Sequence, residues 1–284
     1  MGRYKKLLVA VDGSESSMHA LKESFKFAIN EKSWITVVSV VPHYTGDLDS
    51  VAVGDIMASM RKPCEDALLK AREMAEREKA LIKTVYEEGE PYERIIDLAE
   101  SENCDLIVMG RRGLRRLERM LVGSVTARVI GYSPIDILVV PRDTTVSWET
   151  ILLATDGSKY SMTATKRAID FAESYGGELK AISVVDVPAE FYGEAPQIVD
   201  DMIKKAKGYV EDVKKQAESA RVKTETFVRE GESYLAITDL ARKQDINTIV
   251  MGSHGRTGLK RLLMGSVTEK VIGHSPCPVL VVKT

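Results

Sequence analysis

Met109 through Val140 reads MGRRGLRRLERMLVGSVTARVIGYSPIDILVV, and Met251 through Val282 reads MGSHGRTGLKRLLMGSVTEKVIGHSPCPVLVV. The two stretches align without a gap at an offset of 251 − 109 = 142, with about 18 of 32 positions identical. Upstream, Gly89-Glu90-Pro91-Tyr92 matches Gly231-Glu232-Ser233-Tyr234 at the same offset, and Asp12-Gly13-Ser14 matches Asp156-Gly157-Ser158 at 156 − 12 = 144. So long a period exceeds any solenoid repeat, so each copy is a whole domain. The chain of 284 residues is about twice the usual size of one domain. Domains at 1–142 and 149–284 follow, joined by Asp143 to Trp148, a linker short enough that the halves should pack on each other.

Within each copy, short continuous apolar runs alternate with helical periodicity. Leu7 to Val11, Ile35 to Val41, Leu106 to Met109 and Ile137 to Val140 read as strands buried on both faces, with counterparts at Ile151 to Ala154, Leu179 to Val185, Ile246 to Met251 and Val279 to Val282. Further strands near Leu81 to Tyr86 and Val222 to Val228 bring each domain to five. Ala67, Leu68, Ala71, Met74 and Ala75 share one helical face, as do Ile198, Met202, Ala206, Val210 and Val213; Tyr92, Ile95 and Ala99 recur as Tyr234, Ile237 and Ala241. Strand and helix in alternation predict two α/β domains, each a five-stranded parallel sheet flanked by helices.

Composition narrows the function. Forty Lys and Arg against 42 Asp and Glu leave a net charge of −2, so no global field draws the chain to nucleic acid or to a membrane surface. The apolar share of 44% and charged share of 29% exclude a disordered chain and a membrane bundle, and no apolar stretch reaches the roughly 18 residues of a transmembrane helix. Cys64, Cys104 and Cys277 are odd in number and form no C-x-x-C pair, which argues against a disulfide framework or zinc and for a reducing cytoplasm. His19, His43, His254 and His274 show no metal spacing.

Ligands of doubly wound sheets lie outside the carboxyl ends of the strands, so the residues after the first and fourth strands matter most. The first strand is followed by Asp12 or Asp156. The fourth ends at Met109-Gly110 or Met251-Gly252 and continues into G-x2-G-x9-G-S, with Gly113, Gly123, Ser124 and Val125 in one copy and Gly255, Gly265, Ser266 and Val267 in the other. Glycines let the backbone approach a ligand, and Gly-Ser before an apolar-periodic segment marks a helix start, where free N–H groups attract phosphate. The alternative is that the glycines only make turns, that Ser124 and Ser266 only cap helices, and that Asp12 and Asp156 cap the helices after the first strands.

The double G-x2-G-x9-G-S, with an aspartate after each first strand, resembles the ATP-binding subgroup of the universal stress protein family over essentially the whole chain, as two tandem domains. That resemblance implies a Rossmann-like fold of the adenine nucleotide alpha-hydrolase type. It implies a bound adenine nucleotide, ATP or AMP, with Mg possible beside ATP. Asp12 and Asp156 would meet ribose or a phosphate-bound metal, Val40 and Val184 would offer backbone groups to adenine, and Gly110 and Gly252 would lie along the ribose. Gly113, Gly123, Ser124 and Val125, with Gly255, Gly265, Ser266 and Val267, would hold phosphates. It also implies pairing of the last strands, Ile137 to Val140 with Val279 to Val282, as an intramolecular pseudo-dimer, with a homodimer of chains as a further option.

A nucleotide-dependent regulator of the stress response is the leading expectation. A slow ATP-hydrolysing enzyme is the alternative, but the chain has no G-x4-G-K-S/T, G-x-G-x-x-G or S-G-G-x-D-S loop, and no nucleophile, base and orienting group stand together. A module with a vestigial pocket is the third reading, against which both intact motifs count. Arg111, Arg112, Arg115, Arg116 and Arg119 crowd the first phosphate loop, where the second has Ser253, His254, Gly258 and Arg261. These arginines either clamp phosphates or face solvent and a protein partner.

Overall fold

Two units, Met1–Asp143 and Thr144–Thr284, divide the chain. In the computed structural model the described residues are 4–43, 53–113, 122–255 and 264–284. The first unit runs β1 (Lys6–Ala10), α1 (Glu15–Glu31), β2 (Trp34–Val41), α2 (Val53–Glu78), β3 (Ile82–Glu88), α3 (Pro91–Ser101), β4 (Leu106–Gly110), α4 (Ser124–Tyr132) and β5 (Asp136–Val140). All strand pairs are parallel, β2 with β3, β1 with β2, β1 with β4 and β4 with β5, which gives the order β3-β2-β1-β4-β5. The chain thus reverses direction across the sheet between β1 and β4, and the two loops that carry the motifs leave the sheet side by side.

The second unit repeats this with β6 (Thr150–Ala154), α5 (Lys159–Tyr175), β7 (Glu178–Val185), α6 (Glu190–Glu194), α7 (Pro196–Ser219), β8 (Thr224–Glu230), α8 (Ser233–Lys243), β9 (Thr248–Gly252), α9 (Ser266–His274) and β10 (Val279–Val282). Its order is β8-β7-β6-β9-β10, again all parallel. In each unit two helices cover each face: α1 packs with α2 and α3 with α4, as α5 does with α7 and α8 with α9. The continuous apolar runs are explained by this arrangement. Leu7, Leu8 and Val9, like Ile151, Leu152 and Leu153, are fully buried because helices lie both above and below them.

The third strands begin later than the apolar pattern suggests, at Ile82 and Thr224. The helices before them close through left-handed residues, Lys79 at φ 53° and Arg221 at φ 59°. Beyond these, the N–H groups of Ala80 and Val222 donate to the carbonyls of Ala75 and Ala217, so the chain is still in the turn where the sequence suggests strand. Ile198 also departs from expectation. It is 53% exposed, and Val199, at 3%, takes its place on the buried face. Val199 lies seven residues before Ala206, within about 20° of it around the helix, whereas a spacing of eight swings outward.

Each core is anchored by an aromatic pair ahead of its first strand. Trp148 stacks on Phe171 with ring centroids 3.9 Å apart, and Tyr4 meets Phe27 at 6.2 Å. The Tyr4 hydroxyl also donates to Asp136 Oδ2 at 2.6 Å in a buried setting. Tyr4→Phe should therefore lower the stability of the first unit by about 1–3 kcal/mol, the range for a buried polar group losing a partner. Thermal unfolding would read this, and an unchanged transition would show that the bond contributes nothing.

The surfaces of the copies differ where their cores do not. At the amino ends of the second and third strands, the first unit exposes Trp34 and Leu81, 70% and 81% accessible. The second unit has there the ion pair of Glu178 and Lys223, 2.5 Å apart.

Candidate functional site

Helix α1 begins at Glu15 because the Ser14 side chain accepts the Ser17 N–H at 3.2 Å; Ser158 does the same for Ser161 at α5. Serine is thus the cap, and the aspartate two residues earlier is released from that role. Asp12 Oδ1 accepts the Ser14 N–H at 3.0 Å, as Asp156 Oδ1 does from Ser158. Between them Gly13 and Gly157 turn the chain at φ +81° and +74°, a region that L side chains rarely adopt. This turn directs the other carboxylate oxygen, Oδ2, toward the loop after β4 or β9. A Cβ built on Gly113 would overlap Asp12 Oδ2, and one on Gly255 would come within 2.8 Å of Asp156 Oδ2.

The two motif loops therefore meet at an aspartate and a glycine in each unit. Neither Gly113 nor Gly255 has positive φ; closeness to the carboxylate, not backbone strain, makes glycine necessary. Gly110 and Gly252 answer a different demand. A Cβ on Gly110 would lie 2.7 Å from the Ser16 carbonyl carbon, and one on Gly252 2.9 Å from that of Tyr160, so these glycines let the helix after the first strand rest on the end of the fourth. Met109 and Met251, each 5% exposed, are interior strand residues.

The loop after β4 returns to its starting point. The Gly123 N–H donates to the Arg111 carbonyl at 2.9 Å, and the Gly265 N–H to that of Ser253 at 3.0 Å. Threonines that the sequence reading passed over complete the closure: Thr126 Oγ1 donates to the Gly110 carbonyl and Thr268 Oγ1 to the Gly252 carbonyl, both at 3.1 Å. Gly123 and Gly265 are the N-caps, and as glycines they bring no capping side chain of their own. The helices start where the Gly-Ser pairs place them: Ser124 and Ser266 are the first helical residues, one position past the caps, and both are exposed. A helix that starts on a glycine receives no side-chain cap from its N-cap residue, and its first N–H groups, here those of Ser124 and Val125 or Ser266 and Val267, lie at the positive end of the helix dipole. Val267 is itself 36% exposed. Val40 and Val184, partly buried, lie one residue before the ends of β2 and β7.

The charges around this mouth differ between copies. Arg111 is partly buried, and desolvation together with the neighbouring Arg112 pulls its guanidinium below the usual arginine value. Glu15, at the start of α1, pairs with Arg142. In the second unit the corresponding positions carry Ser253, His254 and Lys159. Ser253 Oγ lies 3.1 Å from His254 Nδ1, His254 sits 5.3 Å from the Tyr160 ring, and Lys159 Nζ is 4.8 Å above that ring. Lys159 and Tyr160 escaped the sequence reading because they follow the D-G-S turn rather than the glycine motif. Arg115, Arg116, Arg119, Gly258 and Arg261 lie outside the described residues.

Among the described residues, no three His, Cys, Asp or Glu gather as a metal site, and no helix is long and apolar enough to cross a membrane. The three cysteines are free and buried. Burial pushes the Cys104 and Cys277 thiols up to about 11. The fold prefers the protonated thiol, so these groups cost stability only as pH rises from about 9 toward about 11. Alkylation at pH 8 should run at least about 100-fold slower at both positions in the native protein than in denaturant, since the thiolate is the nucleophile. Mass-resolved labelling would check this; equal rates would contradict the burial of these thiols.

The sequence profile of the universal stress protein family matches residues 3–141 and again 147–283. A universal stress protein of Methanocaldococcus jannaschii is 41% identical over 143 residues, covering 48% of this chain and 82% of its own. One from Mycolicibacterium smegmatis is 26% identical over an alignment of 301 positions that covers 98% of this chain and 96% of its own. Among solved structures, a universal stress protein from Archaeoglobus fulgidus superposes with a TM-score of 0.76 at 23% identity, covering 98% of this chain and 96% of that one, a likeness of fold. Two matches of the family profile, the paired glycine motifs and a doubly wound sheet in each half converge: the chain belongs to the universal stress protein family, as two tandem domains.

Proposed function

We propose that each unit binds an adenine nucleotide, ATP, ADP or AMP, at the carboxyl ends of its first and fourth strands, and that the protein acts in the cytoplasm as a nucleotide-dependent regulator. One observation carries this reading: an aspartate carboxylate is set against a motif glycine beside a helix N-terminus that starts on a glycine, twice in one chain. A carboxylate suits ribose hydroxyls and exposed N–H groups suit phosphate oxygens, so the pair matches the two polar parts of a nucleotide. In this reading Asp12 and Asp156 take the ribose, Gly110 and Gly252 border it, and Val40 and Val184 meet the base. Gly113, Gly123, Ser124 and Val125, with Gly255, Gly265, Ser266 and Val267, line the phosphates. One carboxylate per site also fits a Mg ion accompanying ATP, because that ion takes one or two carboxylates together with phosphate oxygens.

Mass spectrometry of nucleotide released from purified protein, followed by melting curves with ATP, ADP and AMP, tests the proposal. A ligand present at roughly 100 times its dissociation constant should stabilise its unit by about 2.7 kcal/mol. Absence of any shift with all three would overturn it.

The first site should be the more sensitive to salt. Arg111 and Arg112 stand beside its phosphate end, where the second unit has Ser253 and His254. Charge-assisted contacts weaken as salt screens them. The ATP-over-AMP preference of the first site should therefore fall more steeply between low and high ionic strength. Equal slopes in variants that retain one site each would remove any phosphate role for these arginines.

A further inference from the structure

In the first unit α2 is the wall of the compartment beside Asp12. Its Cys64 Sγ approaches the Val40 carbonyl to 3.5 Å, and a Cβ on Gly13 would meet the Ala67 methyl at 3.5 Å, an ordinary contact. The equivalent wall in the second unit is α7, in which Ala206 and Tyr209 take the places of Cys64 and Ala67 at the repeat offset, 206 − 64 = 209 − 67 = 142. The Tyr209 ring lies against Gly157, so close that a Cβ built there would be 2.7 Å from Cζ. Gly157 is the residue after Asp156, and α7 packs along β7, the strand that carries Val184. A base reaching from Asp156 to Val184 has to lie under α7. A phenol ring stands in the second unit where the first has a single methyl.

We infer that Tyr209 narrows the base compartment of the second site, so that the two sites of one chain differ in how strongly they hold the purine base while sharing the same glycine backbone about the phosphates. The inference rests on the nucleotide reading above and names the residue that makes the two base compartments unequal. The ring contacts the loop at Gly157, on the side that faces α7 and β7. The glycine-to-carboxylate approach of Gly255 and Asp156, and the start of α9 on Gly265, would lie on the phosphate side in that reading and match those of the first unit. A restriction at Tyr209 therefore acts on the base and leaves the polyphosphate alone. Gly157 completes the arrangement, since its positive φ and the ring above it both exclude a side chain.

Titration calorimetry separates the outcomes with two probes, ATP and inorganic tripolyphosphate, which lacks base and sugar. Gly113→Val isolates the second site and Gly255→Val the first. With these backgrounds, ATP should bind the second site about tenfold more weakly than the first. Adding Tyr209→Ala to the Gly113→Val protein should tighten ATP by about tenfold and leave tripolyphosphate unchanged. Tyr209→Phe, which keeps the ring, should behave as the parent. A Tyr209→Ala protein that binds ATP no better than its parent would overturn the inference. Weaker binding would overturn it by showing that the ring stacks on the base instead, and so would an equal gain for tripolyphosphate, which would mark a general loosening of the site. If neither site of the unaltered protein binds ATP, the nucleotide reading itself fails, and the inference falls with it.

Discussion

Gly113→Val should abolish nucleotide binding at the first site, at least about 100-fold in affinity, while leaving the fold nearly as stable as before. The asymmetry follows from what the new side chain meets. Its Cβ overlaps Asp12 Oδ2, the far end of a side chain that can swing away, and the backbone at Gly113 has no positive φ to be strained. Relief is therefore inexpensive for the protein, but it displaces the carboxylate from the place where it would meet the ribose and fills the approach to the phosphate cradle. Gly255→Val should do the same at the second site, where the built Cβ lies 2.8 Å from Asp156 Oδ2. Melting temperatures within a few degrees of the parent, together with lost binding at one site only, are the expected pair of results. Unaltered affinity would show that the carboxylate and glycine do not form part of a ligand site.

Three residues earlier the same chemistry should have the opposite outcome. Gly110→Val places its Cβ 2.7 Å from the carbonyl carbon of Ser16 and 2.8 Å from the carbonyl oxygen, both backbone atoms of α1. Backbone in a packed helix cannot rotate aside, so α1 must lift from β4, and overpacking of this kind costs about 3 kcal/mol. For a unit of this size that corresponds to a fall of about 10 °C in its melting temperature. Gly252→Val should act likewise against Tyr160. If Gly110→Val melted with the parent and lost only binding, Gly110 would be a ligand contact alone and its packing role would be refuted.

This difference between neighbouring glycines was not legible in the sequence, where Gly110 and Gly113 look like members of one motif. Spacing shows that a backbone must come close to something; only the fold shows whether that is a helix or a carboxylate. The sheet was legible because strands covered on both faces are written as unbroken Val, Ile and Leu, as in Leu7 to Val9 or Val279 to Val282. The third strands were less so. They lie at the sheet edge with intermediate burial, and the left-handed turns at Lys79 and Arg221 delay their start by residues that are themselves apolar, Leu81 and Val222. The Gly-Ser pairs mark both helix starts, but which of the two residues is the N-cap is not written in the sequence, because a glycine can hold the extended N-cap conformation as serine does, here at φ −61° and −62°.

The repeat identified the positions that correspond, and comparing them across the structure shows what sequence identity conceals. Ala67 and Tyr209 occupy one place on equivalent helices, but each reads simply as a residue of an amphipathic segment until the loop beneath it is known. The same holds for Trp34 and Leu81 against Glu178 and Lys223, which neighbour each other across strands in both copies. The shared core keeps the geometry of the two mouths alike, and the residues around each mouth are free to make the copies unequal.

The central claim, one nucleotide site in each unit built from an aspartate, a glycine motif and the start of the helix after it, is tested most directly by calorimetric titration of ATP into the unaltered protein, Gly113→Val, Gly255→Val and the double variant. Two sites in the first, one in each single variant and none in the double are the predicted stoichiometries. An unaltered protein that takes up no ATP, ADP or AMP, or a double variant that binds as the parent does, would contradict the claim.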